Sequence, residues 1–186
     1  MATDAPPDIG ERSGWTTSLE HAAGFESLQW QGITDAETMR ALVRFAVCDM
    51  TSPPPELVGF DFCWSACCFE HLGSLDAGAA FVLDSVERVL RPGGIAVHTT
   101  EFNLSSNDRT IDPGPTVIYR RRDMEALIAE LRRRGHTVLQ DFSVAVDSHV
   151  LDAFVDVPPY THDPHLKLAL AGSTATSDGL VVSRSD

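Results

Sequence analysis

Residues 60–101 read FDFCWSACCFEHLGSLDAGAAFVLDSVERVLRPGGIAVHTTE, and the alternation of segments within them sets the expected architecture. Phe60–Trp64 is a short apolar run, the signature of a strand buried on both faces. A loop of small residues follows, then the pair Glu70-His71. Ala79, Val82, Leu83, Val86, Val89 and Leu90 recur at helical spacing, so the next segment is a helix with one apolar face. Ser74 or Asp76 starts it, and Pro92-Gly93-Gly94 stops it. Ile95–Thr100 is a second apolar strand. Strand, helix and strand in this order form one parallel crossover unit. Parallel strands place their following loops on one sheet edge, where ligands bind.

The flanking segments extend the alternation. Asp35 caps a helix that runs to about Leu42, and Val43–Val47 is a strand ending at Cys48-Asp49-Met50. Residues 51–55 (TSPPP) are a loop. Downstream, Phe102–Pro115 is polar and turn-rich. Asp123 begins a helix with Met124, Leu127, Ile128 and Leu131 on one face, closed by Gly135. A strand opens at Thr137–Leu139 and runs on toward Val146. Val155–Pro164 is a loop broken by prolines, and Thr176–Ser183 is the last strand. A loop joins the final two strands, so the last one is expected to run antiparallel to the rest. The expected fold is α/β: a three-layer, Rossmann-like sheet in one domain, mostly parallel with an antiparallel last strand.

Bulk properties narrow the function classes. The chain has 186 residues, enough for one real core. Its formal net charge of −13 repels phosphate backbones, so no nucleic-acid partner is expected. Arg120–Arg122 and Arg132–Arg134 flank one helix and read as a solvated face. No stretch is apolar enough for a membrane span, and the N-terminus lacks the pattern of a secretory signal. The four cysteines, at 48, 63, 67 and 68, do not form a disulfide framework, so a cytoplasmic setting is expected.

The motifs carry one family resemblance. Residues 60–65 (FDFCWS), then Phe69-Glu70-His71-Leu72, then residues 87–94 (ERVLRPGG) resemble the fourth-to-fifth-strand region of class I S-adenosylmethionine-dependent methyltransferases. Cys48-Asp49-Met50 resembles the end of that family's third strand, and Ala2-Thr3-Asp4 the end of its second. The resemblance covers about four-fifths of the chain. It implies S-adenosylmethionine as cofactor and methyl transfer as activity. It also implies an N-terminally truncated fold, because no Gly-x-Gly precedes Asp49. The family's first strand and glycine loop are expected upstream of Met1. That strand lies centrally, between the second and the fourth, so the chain is expected to self-associate through exposed sheet edges.

The resemblance assigns roles to particular residues. Asp4 would hold the ribose hydroxyls and Asp49 the adenine, since carboxylates accept from such donors. Met50 would pack on the adenine, and Ser65 and Ala66 would admit the methionine part of the cofactor. Glu70-His71 is the candidate catalytic pair, because a histidine suits proton removal near neutral pH. Glu101 and Asn103, past the fifth strand, are candidate contacts to the substrate, a small molecule or glycan-type acceptor. Each has a plain alternative: a turn aspartate, a tight loop, a helix-capping histidine, a polar loop residue. His98 reads as a hydrogen-bonded core histidine.

No metal is expected. Cys63, Cys67 and Cys68 lack the second ligand pair of a zinc knuckle, and His162-Asp163-Pro164-His165, near Asp156, lacks helical ligand spacing. Two other readings remain open in the sequence. One is a noncatalytic methyltransferase-like binding module. The other is a different doubly wound protein binding a nucleotide sugar or dinucleotide, although that class also needs a glycine turn.

Overall fold

The computed structural model describes residues 1–29, 32–139, 150–161 and 164–186. The chain divides into two compact units, Met1–Glu56 and Leu57–Asp186.

The first unit is built on two short strands, β1 (Ala2–Asp4) and β2 (Phe45–Val47), paired in parallel with Asp4 beside Val47. Helix α1 (Pro7–Arg12) follows β1; the fixed φ of Pro7 suits a first helical turn. Helix α2 (Ala36–Leu42) precedes β2, and the Asp35 carboxylate accepts from the Thr38 N–H at 2.9 Å. The cap and end of α2 match the sequence reading.

The second unit holds the expected crossover. Strand β3 (Phe60–Ser65) leads through a helical turn at Phe69–His71 into helix α3 (Leu75–Asp84). Ser74 caps α3 by accepting from the Ala77 N–H at 3.1 Å. One wide π-helical turn, Ser85–Val89, prolongs it. Strand β4 (Leu90–Asn103) then runs parallel to β3, with Cys63 beside Ala96 and Ser65 beside His98. Pro92-Gly93-Gly94 lies within β4, where it interrupts the register between the Phe60 and Phe62 pairings. The helix therefore ends at Val89, three residues before the proline.

Helix α4 (Arg121–Arg133) buries Met124, Leu127, Ile128 and Leu131, the face read from the sequence. Asp123 accepts from the Arg120 N–H at 2.9 Å, and Gly135 (φ +94°) closes the helix in the left-handed region. Strand β5 (Thr137–Val138) follows; the expected run toward Val146 lies outside the described residues. Strands β6 (Leu168–Leu170) and β7 (Ser173–Ser183) form a tight hairpin whose loop residues, Ala171 and Gly172, both have positive φ. The sequence reading missed β6 and α1, both too short for a periodic signal.

The sheet order is β3-β4-β7-β5, with β6 also on β7. β7 lies antiparallel to both β4 and β5, as expected for a last strand reached through a loop. Helices α3 and α4 pack on the face that carries Ala96, Leu180 and Val182, and this is where the core sits. One expectation is corrected. β3 is not buried on both faces: Phe62 is 70% and Trp64 is 75% exposed. Both helices cover the Cys63 side, and among the described residues of this unit no helix covers the other.

Candidate functional site

In the first unit, the parallel pairing brings Asp4 and the Asp49 segment to one sheet edge, where the Cys48 N–H donates to the Asp4 carbonyl at 2.8 Å. The Asp4 carboxylate is held by its own surroundings. Oδ1 accepts from the Ala5 N–H and Oδ2 from the Ala22 N–H, both at 2.7 Å. Asp49 Oδ1 accepts from the N–H and hydroxyl of Thr51 at 2.8 and 2.7 Å, an Asx turn. Both carboxylates are oriented by donors and half-buried. A carboxylate has about four acceptor positions, so each retains capacity for a diol or an amino group. Met50 follows, half-buried.

In the second unit, the β3 and β4 ends lie side by side. Ser65 Oγ and His98 Nδ1 are 2.8 Å apart, and Ser85 Oγ and His98 Nε2 are 2.9 Å apart. The Ser85 hydroxyl donates to the Val82 carbonyl at 2.7 Å, so it accepts from Nε2–H. Nδ1 then accepts from Ser65. This tautomer is neutral, and burial pushes the His98 pKa down to about 4. His98 is the hydrogen-bonded core histidine expected from sequence, and it fixes Ser65 in place.

The loop after Ser65 turns back on β4. Cys67 adopts φ +47°, and its N–H meets the carbonyl and hydroxyl of Thr99 at 3.1 and 3.0 Å. The Ala66 carbonyl accepts from the Cys68 thiol at 3.1 Å. Glu70 is completely buried. Its Oε2 accepts from the Thr100 hydroxyl at 3.1 Å, while Oε1 has no hydrogen-bond partner among the described residues. Burial pushes its pKa up to about 7. Burial likewise raises Cys67 and Glu101, whose Oε2 is also buried and has no hydrogen-bond partner among the described residues.

His71 lies beside this group, with Nδ1 at 3.2 Å from the Pro115 carbonyl and 3.1 Å from Thr116 Oγ1. A carbonyl only accepts, so Nδ1 carries the proton and Nε2 the lone pair. Asn103 is engaged by its own loop. Its Oδ1 accepts from the N–H groups of Ser105 and Ser106 at 2.9 and 3.0 Å, and its Nδ2 donates to the Arg109 carbonyl at 3.0 Å. These bonds make Asn103 an organiser of the 103–109 loop.

Sequence reasoning missed the grouping around Cys67. Cysteine spacing alone shows no ligand set, yet the fold brings ligand atoms of Cys67, Glu70 and Glu101 within 4.8 Å of one another. Cys63 lies on β3 and is packed against the core. In the proline-rich loop, Asp156 Oδ2 meets His165 Nδ1 at 3.1 Å and also accepts from Thr161, which fits a structural loop; His162 and Asp163 lie outside the described residues.

Residues 17–98 match a family model described as a methyltransferase domain. That match covers 82 of the chain's 186 residues. The match spans Asp49, Met50, Ser65, Ala66, Glu70 and His71 and stops short of Glu101 and Asn103. No curated protein matches. Similar solved structures include the following three. The [4+2]-cyclase SpnF is 26% identical, over 56% of this chain and 36% of that one, with a TM-score of 0.40. A SAM-dependent methyltransferase from Methanosarcina mazei is 10% identical, over 98% and 80% of the two chains, with a TM-score of 0.47. A further S-adenosylmethionine-dependent methyltransferase, from Clostridium acetobutylicum, is 12% identical, over 100% and 74%, with a TM-score of 0.45. No described helix is long and apolar enough to cross a membrane.

Proposed function

We propose that the chain serves S-adenosylmethionine-dependent methyl transfer to a small polar acceptor. The observation that carries this reading is the methyltransferase-domain match, which ends inside the strand–helix–strand unit read from residues 60–101. The cofactor, when bound, supplies an activated methyl group on a sulfonium. Asp49 is the residue we assign to its adenosine part, with Asp4 on the ribose hydroxyls. Both are pre-oriented by backbone donors, so little side-chain entropy is lost on binding. Ser65 and Ala66 present small side chains at the end of β3. His71, with its lone pair on Nε2, is the group we assign to take the acceptor's proton. The acidic charge favours a small molecule over nucleic acid as acceptor.

Isothermal titration of the chain with S-adenosylhomocysteine tests this. Saturable binding is expected, weak because no Gly-x-Gly turn precedes Asp49. Asp49→Ala should weaken it about tenfold or more, the worth of a charge-assisted hydrogen bond. Absence of any binding would leave the noncatalytic module as the better reading.

A further inference from the structure

Glu70 and Glu101 pose a problem of charge. Glu70 is fully buried, and among the described residues one oxygen of each carboxylate has no hydrogen-bond partner. Two carboxylates this close repel strongly when shielded from water, and burial costs each its solvation. A bound cation resolves both penalties at once. Cys67 supplies the third group: its Sγ, also 3.5 Å from Ser177 Oγ and 3.6 Å from Thr99 Oγ1, lies within 4.8 Å of a ligand atom of each carboxylate.

We propose that Cys67, Glu70 and Glu101 form a binding site for a divalent transition metal of the zinc class, with its remaining position open to water or a small oxygen ligand. The donor set selects the class. A thiolate disfavours magnesium and calcium, whereas zinc and cobalt accept mixed sulfur and oxygen ligands. Zinc lies about 2.3 Å from a thiolate and about 2.0 Å from a carboxylate oxygen, so tetrahedral ligands sit roughly 3.5 Å apart. The three side chains therefore need to close by at most about 1.3 Å, within the reach of rotamer adjustment. Three protein ligands with one open position is the arrangement of reactive rather than purely structural zinc sites. Cys67 and Glu101 are half-buried, which leaves a way in. The inference does not depend on methyl transfer.

Cobalt(II) is the probe, because a cobalt–thiolate bond gives a charge-transfer band in the near ultraviolet. The chelator-treated full chain should develop this band on titration with Co(II), saturating at one ion per chain, and Zn(II) should abolish it by displacement. Cys67→Ala should lose the band, whereas Cys63→Ala and Cys68→Ala should keep it. Glu101→Gln should weaken binding at least about tenfold. Far-ultraviolet circular dichroism establishes that each variant is folded. If Cys67→Ala does not fold, Cys67→Ser and Glu101→Gln carry the test. No band in the parent chain would overturn the proposal and leave Glu70 as a neutral buried acid. A band that survives loss of Cys67 would overturn it equally.

Discussion

Gly78 sits inside α3, where alanine would ordinarily be worth about 1 kcal/mol more than glycine. The packing reverses that sign. A methyl group at position 78 would lie 2.1 Å from the Tyr119 hydroxyl, 2.5 Å from the Phe69 carbonyl and 3.1 Å from the Phe69 ring. Neither close neighbour yields easily. Tyr119 is buried, and its hydroxyl donates to the Leu75 carbonyl at 3.0 Å. The Phe69 carbonyl is backbone, immediately before Glu70. Overpacking of this kind costs up to about 3 kcal/mol, and displacing the tyrosine hydroxyl adds about 1 kcal/mol. After the gain in helix propensity, Gly78→Ala should lose about 3 kcal/mol. For a chain this long, that lowers the melting temperature by roughly 6–12 °C. Urea unfolding followed by circular dichroism measures the loss. Adding Tyr119→Phe removes the closest contact but not the Phe69 carbonyl, so the double variant should recover only part of it. A Gly78→Ala protein as stable as its parent would refute the packing argument.

Two further outcomes follow from the hydrogen-bond network. His98 has a folded pKa near 4, below the unfolded value of about 6.5, so the unfolded chain binds more protons between those values. Its stabilising contribution is complete above pH 6.5 and lost as pH falls toward 4, by roughly 3 kcal/mol; buried Glu70 acts oppositely, so urea midpoints against pH should be compared in a Glu70→Gln background, where a flat profile would refute the neutral buried histidine. Asn103→Ala removes three hydrogen bonds to residues 105–109 and should cost about 2 kcal/mol, with faster proteolysis of that loop; unchanged S-adenosylhomocysteine binding alongside that loss would fit its place as a loop organiser.

The elements most legible in the sequence were those whose signals are local. Asp35, Ser74 and Gly135 mark helix ends through bonds or dihedrals formed within a few residues, and the α4 face follows from helical spacing. The antiparallel last strand was readable because a loop, not a helix, leads into it. Elements of three residues, such as β6, carry too few positions for any period to show.

The residues around the β3 and β4 ends were named from their neighbours in sequence, but their roles depend on register. Pairing Ser65 with His98 carries residue 67 beside Thr99 and residue 70 beside Thr100 and Glu101. No spacing within 67–70 announces a partner thirty residues away. The apolar run at Phe60–Trp64 shows the same limit: composition marks a strand, but only the placement of α3 and α4 decides which of its faces is covered. By itself the sequence determined the order of the longer elements, the antiparallel end and the motif run at residues 60–101, because propensity, capping and hydrophobic period act over a few residues. The tertiary structure alone decided that Glu70 is buried without a full set of partners, that Cys67 and Glu101 converge on it, and that Asn103 is spent on its own loop. Desolvation and charge proximity depend on what surrounds a group in space, and that is set by long-range packing.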